Sequence, residues 1–295
     1  AEFDFGGLPA WLLRYPSMRL RVNHPLFLEK VSHFYDWLFP KLLPYQSDQG
    51  GPILMMQVEN EYGSYAEDKA YMRSIAQMMK VRGVSVPLFT SDGTWIEALE
   101  SGTLIEDDIF VTGNFGSQPK ENTDNLRAFM ERYGKKWPLM CTEFWDGWFS
   151  RWSEEIVRRE AEDLAQDVKE MLQLGSMNLF LLRGGTNFGF ISGCSARKTK
   201  DLPQITSYDF DAPITEWGQP TEKYYAVQRV THEVFPELEQ MEPISRQAKA
   251  YGSFPLLGTA NLLDVAADIT EEILLDYPQP MEQIGQNHGY ILYRS

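Results

Sequence analysis

Short apolar segments alternate with amphipathic helical patterns over residues 1–240, and this alternation restricts the fold more than any other feature of the chain. A strand–helix–strand–helix order is typical of parallel strands joined by crossover helices. Four helices are predicted. Three of them span 24–38, 67–81 and 153–174. The other begins at Thr123 as its cap and carries Leu126, Phe129 and Tyr133. The five predicted strands are 53–58, 86–90, 109–114, 138–144 and 177–182.

The predicted strands are apolar on both faces, so both faces of the sheet should be covered by helices. Closed barrels and open doubly wound sheets share this pattern. Neither GxGxxG nor GxxxxGK[ST] follows any strand, and this absence of a phosphate loop favours the barrel.

The pattern changes after about residue 240. Short extended segments at 253–257 and 290–293 lie between polar turns and show little helical period. The sequence therefore predicts two domains, an α/β barrel portion at 1–240 and the start of an all-β domain at 241–295.

Charge and cysteine content narrow the possible partners. The formal net charge is −15, which repels nucleic acid and anionic lipid, so neither is an expected partner. The four histidines lack metal-ligand spacing, and we expect no metal and no cofactor. Two cysteines, Cys141 and Cys194, argue against a disulfide framework and favour the cytoplasm, an expectation that a signal peptide upstream of Ala1 would change.

Acidic residues end two of the predicted strands. Gln57, Glu59 and Glu61 alternate along the first strand and should share one face. Glu143 ends the fourth, where Cys141 should share its face. A structural ion pair is the alternative role for any single glutamate at such a position.

Two carboxylates on different strands, with aromatic residues beside them, indicate glycoside cleavage. That reaction needs one carboxyl group that donates a proton and one that stays ionised, across a bond held by stacked rings. Trp145 and Trp148 follow Glu143, and the amide of Asn60 precedes Glu61 and could hold a sugar hydroxyl. The residues alone thus predict a glycosidase.

Five motifs in fixed order also resemble glycoside hydrolase family 35. They are Ala1-Glu2 followed by GGLPAWL at 6–12, then 57–63 (QVENEYG), 142–148 (TEFWDGW), 184–189 (GGTNFG) and 207–213 (SYDFDAP). The resemblance implies a (β/α)8 barrel of which strands 4 to 8 are present and strands 1 to 3 are missing. It also implies that Glu61 is the acid/base and Glu143 the nucleophile.

The resemblance further implies a galactose pocket and its lining. Ala1, Glu2 and Asn60 would contact the sugar. Trp148 would lie near the entrance of the pocket, and Phe210 would lie near the sugar. Phe210 replaces a tyrosine of the family, and Arg183 stands where a histidine often precedes the Gly-Gly motif; both affect fine specificity.

The implied activity is retaining exo-hydrolysis of terminal β-D-galactose from oligosaccharides. Two alternatives stay open: a non-catalytic, truncated remnant that binds sugar, and a glycosidase of the same fold acting on another sugar. Because a barrel without three strands exposes two edges, we expect the isolated 295 residues to fold poorly or to be inactive. The sequence does not indicate the oligomeric state.

Overall fold

A computed structural model describes residues 2–196, 199–244 and 247–294, and a five-stranded parallel sheet organises them. Its strands lie side by side in chain order: β1 (Met56–Gln57), β2 (Leu88–Gly93), β3 (Phe110–Phe115), β4 (Met140–Trp145) and β5 (Ser176–Phe180). A doubly wound sheet would reverse its strand order part-way. This uninterrupted order is instead consistent with part of a (β/α) barrel.

Helices occupy every connection between these strands. The bounds are α1 (Pro25–Leu42) before β1, then α2 (Lys69–Val81), α3 (Ile96–Gly102), α4 (Pro119–Arg132) and α5 (Ala161–Leu174) between successive strands, and α6 (Glu222–Val234) after β5. The apolar stripes of α2, α4 and α5 are buried, as their spacing predicts. Cys141 and Phe144 of β4 pack into the same apolar cluster as Leu164 and Val168 of α5.

Two predicted helix starts were wrong. The predicted helix at 153–174 begins at Ala161, because the preceding backbone amides bond to other segments: Val157 N donates to Ser150 Oγ (3.2 Å) and Arg159 N to Asp211 Oδ2 (2.8 Å). Thr123 is not a cap. It is buried inside α4, which begins at a proline, and its hydroxyl donates to the Lys120 carbonyl.

The first predicted strand, 53–58, shortens to the two residues of β1. Left-handed φ angles of 59° at Glu59 and 48° at Glu61 turn the chain soon afterwards. The helix α3 was not predicted, since its seven residues are too few to display a clear apolar stripe.

Small antiparallel pairs follow β5. The strand β6 (Gly185–Thr186) pairs with β9 (Ser207–Tyr208), and β7 (Cys194–Ala196) pairs with β8 (Asp201–Pro203). In the described residues after 240, the one regular element is helix α7 (Leu262–Ile269), so the β-rich domain stays a prediction. Across the described ranges, no helix is both long enough and apolar enough to span a membrane.

Candidate active site

Polar side chains gather where the first four strands of the sheet end. Ser91, Thr112 and Thr142 form a hydrogen-bonded layer: Ser91 Oγ lies 2.5 Å, and Thr112 Oγ1 2.7 Å, from Thr142 Oγ1. Ser91 and Thr112 are buried, and such hydroxyls are tolerated in a barrel interior only when they are paired in this way. The layer forms the floor beneath Glu61 and Glu143.

Asn114, at the end of β3, links the two glutamates. Its Nδ2 donates to Glu61 Oε1 (3.1 Å), and its Oδ1 accepts from the Glu143 backbone N–H (3.1 Å) and from Ser91 Oγ (2.5 Å). The side chain is 2% exposed. Sequence reasoning did not select Asn114, although a polar residue at the end of a buried strand was the available signal.

The carboxyl group of Glu143 has a raised pKa. The pKa is about 6, raised chiefly by burial and further by the nearby charges of Glu61 and Glu2. Hydrogen bonds from Trp145, whose Nε1 lies 3.2 Å from Glu143 Oε2, and from the Asn60 side chain oppose it. Glu2, Asn60, Glu61 and Glu143 therefore belong to one electrostatic cluster.

Glu59 does not share a face with Glu61, contrary to the expected alternation, because both residues adopt left-handed φ angles. Its carboxylate instead accepts from Arg21 Nε (3.1 Å), Arg21 Nη2 (2.8 Å) and the Tyr71 hydroxyl (2.7 Å). The ion-pair role that was left open for each glutamate therefore applies to Glu59.

A register shift in β4 also changes an expected face. The pairing of β4 with β5 is irregular between Cys141 and Phe144, so the predicted common face of Cys141 and Glu143 is not kept. The Cys141 thiol points into the helix-covered core, donates to the Phe115 carbonyl (3.5 Å), and has a pKa raised by burial to about 12. Such a thiol is chemically inert.

The other predicted binding residues lie around this cluster. The Tyr208 hydroxyl donates to the Glu2 carboxylate. Trp148 contacts Trp145 edge-on, with ring centroids 5.5 Å apart. Phe210 is 2% exposed, and its ring centroid lies 6.1 Å from that of Trp148, so it packs against the indole rather than lying open to a sugar. Ala1 lies outside the described residues.

A buried lysine fastens the loop after β4. Lys223 is 5% exposed, and its Nζ donates to the carbonyls of Asp146 (2.8 Å) and Asp211 (2.7 Å) and to Asp211 Oδ2 (2.5 Å). These bonds tie the segment that carries Trp145 and Trp148 to the segment that carries Phe210.

An open cleft of about 460 Å³ adjoins the cluster. Asn114, Trp145 and Trp148 line it, together with Trp95 and Arg159. Indole faces beside polar side chains are suited to binding a sugar ring by stacking and hydrogen bonding.

Residues 1–234 match the model of glycosyl hydrolases family 35. The chain belongs to this family. Three relatives align with all of this family 35 chain: Beta-galactosidase 17 of Arabidopsis thaliana at 37% identity, Beta-galactosidase-1-like protein of Mus musculus at 37%, and Beta-galactosidase of Xanthomonas manihotis at 38%. The chain covers 43%, 45% and 48% of their lengths, respectively, which is less than half of each.

The structure also resembles solved structures, though only distantly. The Ignisphaera aggregans GH53 catalytic domain aligns over 70% of this chain and 66% of that chain, with 9% identity and a TM-score of 0.41. This likeness is too distant to bear on function.

Proposed function

We propose that this family 35 chain carries the catalytic centre of a retaining β-galactosidase that removes terminal β-D-galactose from oligosaccharides. The observation that carries the proposal is the electrostatic cluster at the strand ends. Glu61 and Glu143 both bond to Asn114, which holds the two glutamates at one site. Retaining glycosidases use two carboxyl groups held about 5–5.5 Å apart, close enough to interact in this way.

In the proposed mechanism, Glu61 protonates the glycosidic oxygen while Glu143 attacks the anomeric carbon from the opposite face. A galactosyl ester forms on Glu143, and the aglycone leaves with its oxygen protonated. Glu61, now ionised, takes a proton from water, whose oxygen attacks the anomeric carbon. The bond from that carbon to Glu143 breaks, which frees the carboxylate and releases galactose with retained configuration. With a pKa of about 6, Glu143 is mostly ionised at neutral pH, as a nucleophile must be.

The environment of the pair supports these roles. Trp145 and Asn60 donate hydrogen bonds to the Glu143 carboxylate, which favour its ionised form. Asn60 is exposed and precedes Glu61, so its amide is accessible to a sugar hydroxyl. In this proposal Glu2 and Trp148 contact the sugar, and Phe210 acts through the Trp148 ring.

The proposed barrel has eight strands, of which β1 to β5 are strands 4 to 8. This numbering puts Glu61 after strand 4 and Glu143 on strand 7. The uninterrupted parallel order supports five consecutive strands of a barrel, and the numbering 4 to 8 rests on the motifs. A catalytic domain at 1–240, an all-β domain that starts at 241, and a cytoplasmic location are further proposals. The proposed partner is a β-galactoside oligosaccharide.

Turnover is the first test. The chain and a longer form that includes its upstream coding segment are assayed with 4-nitrophenyl β-D-galactoside, each with Glu143→Ala. We expect Glu143→Ala to reduce kcat by at least about 10³-fold in every active form. Glu106→Gln, which changes an exposed carboxylate, is the control and should leave kcat unchanged.

Covalent trapping locates the nucleophile. A 2-deoxy-2-fluoro-β-D-galactosyl fluoride should label the active protein, and peptide mass spectrometry should find the adduct on Glu143. An adduct on another residue would refute the assigned roles. A folded protein that binds galactose without turnover in either form would instead be the sugar-binding remnant.

A further inference from the structure

The loop that carries Glu61 has a strained backbone. Residues 59 and 61 have φ angles of 59° and 48°, in the left-handed region that costs a residue with a Cβ about 1 kcal/mol or more. Arg21, which faces this loop, has a φ of 52° as well. Strain of this kind persists only where surrounding contacts hold it.

Arg21 donates three side-chain hydrogen bonds to this loop. Its guanidinium forms a bidentate pair with Glu59, through Nε to Oε1 (3.1 Å) and Nη2 to Oε2 (2.8 Å). Nη2 also donates to the Asn60 carbonyl (2.8 Å), the peptide oxygen directly before Glu61. The guanidinium carbon lies 4.3 Å from the centroid of the Tyr65 ring, which packs against it.

Glu59 completes the arrangement from the other side. Its Oε2 accepts from the Asn60 backbone N–H (3.0 Å) and its Oε1 from the Tyr71 hydroxyl (2.7 Å). The side chains of Arg21 and Glu59 are only 26% and 11% exposed. Solvent therefore competes weakly for the pair, and both peptide groups of Asn60 are held by it.

We propose that Arg21 and Glu59 are positioning residues that act through the Asn60 backbone to aim the carboxyl group of Glu61 at the glycosidic oxygen. This inference rests on the proposed function. Neither residue belongs to the catalytic pair. Both carboxylate oxygens of Glu59 already accept hydrogen bonds within the protein, so Glu59 does not bind the substrate directly. The planar fork of Arg21 is essential, since it holds Glu59 and the Asn60 carbonyl at once, and a lysine offers one point of attachment.

The leaving group of the substrate provides a specific kinetic test. Arg21→Lys is made in the form of the protein in which turnover has been measured, and kcat/KM is determined with phenyl and 2,4-dinitrophenyl β-D-galactosides. Phenolate is a poor leaving group that needs the proton from Glu61, whereas dinitrophenolate leaves without it. We expect kcat/KM to fall about 10- to 100-fold for the phenyl substrate and less than about twofold for the dinitrophenyl substrate.

A matched control is available on α2. Arg73 binds Asp107 through Nε, with both carboxylate oxygens within about 3 Å, and both side chains are more exposed than those of the Arg21–Glu59 pair. Arg73→Lys should leave both substrates unaffected. An equal loss on both substrates in Arg21→Lys, or no loss on either, would overturn the proposal.

Hydrogen exchange tests the same loop without turnover. We expect the peptide covering residues 57–65 to exchange faster in Arg21→Lys and in Glu59→Gln than in the wild type, and Arg73→Lys to match the wild type. Because the two residues act as one unit, the double variant should exchange no faster than either single variant. Unchanged exchange would overturn the inference, whereas absent wild-type turnover on both galactosides would count against the proposed function.

Discussion

Replacing Asp92 by Asn should make protein stability much less dependent on pH. Asp92 ends β2 near the Glu61 loop and is 1% exposed. Its Oδ1 accepts from the Gly63 backbone N–H (2.7 Å), and its Oδ2 has no hydrogen-bond partner among the described residues. A Cβ added at Gly102 would lie 2.1 Å from Oδ1, so the carboxyl group is packed directly against that glycine.

The size of the effect follows from the pKa. Burial raises the pKa of Asp92 from 3.8 to about 7, and the charge of Glu61 adds to the rise. A rise of about 3 units at 1.36 kcal/mol each is about 4 kcal/mol. Because the folded state binds the proton more tightly than the unfolded state, stability falls as pH rises from about 4 to 7 and stays low above it.

The amide introduced by Asp92→Asn has no ionisation cost, and its Oδ1 can still accept from Gly63. Burying the new NH₂ group without a partner lowers the free energy of unfolding by an amount that does not depend on pH. This amount therefore cancels from the change in stability of the variant between two pH values. We therefore expect the free energy of unfolding of Asp92→Asn, relative to wild type, to rise by about 4 kcal/mol between about pH 4 and pH 8.

Urea unfolding followed by tryptophan fluorescence across this pH range measures the difference. Asp48→Asn, at an exposed position, is the control, and its difference in stability from wild type should depend little on pH. A difference between Asp92→Asn and wild type that stays constant from about pH 4 to pH 8 would show that Asp92 is not held in the buried, proton-binding state described above.

Three further predictions concern the pH profile, a buried lysine and a glycine. In an active form, kcat/KM should fall as pH drops through about 6, because Glu143 must be ionised; a profile flat down to about pH 4 would contradict this. In urea unfolding, Lys223→Met should lower the free energy of unfolding by about 1–3 kcal/mol, since it leaves the carbonyl oxygens of Asp146 and Asp211 without the buried ammonium group that donates to them. Lys169→Met, in an exposed ion pair, should cost under about 1 kcal/mol, and equal losses would argue against burial as the cause. Gly63→Ala would place a Cβ 2.0 Å from the Ala98 carbonyl oxygen, so a lower melting temperature is expected and an unchanged one would refute that contact.

Local patterns were sufficient where one physical rule acts alone. The apolar stripe of α2 and the proline at the first turn of α1 predicted those helices, because burial of one face and a preset φ angle are local properties. Local patterns failed where a distant segment supplies the hydrogen-bond partners of the backbone. Residues 153–160 have acidic and basic residues at helical spacing, yet Asp211 and Ser150 bind their amides and hold them outside α5.

Strand alternation failed at the site itself. Glu59 and Glu61 are two residues apart but diverge, because Arg21 and Tyr71 hold one carboxylate while Asn114 holds the other. Cys141 and Glu143 diverge at a register shift. Local irregularity at functional positions is common, since such strain is stabilised by distant contacts.

The sequence by itself determined the order of the five strands and of every helix between them except α3, the family through its motifs, and the two glutamates proposed to be catalytic. Hydrophobic period and motif identity are encoded in neighbouring residues, so they can be read without a structure. Only the tertiary structure decided that Asn114 joins Glu61 to Glu143, that Glu59 pairs with Arg21, and that Phe210 packs against Trp148. Each of these contacts joins residues far apart in the chain, and burial and electrostatics act on the distances that folding creates.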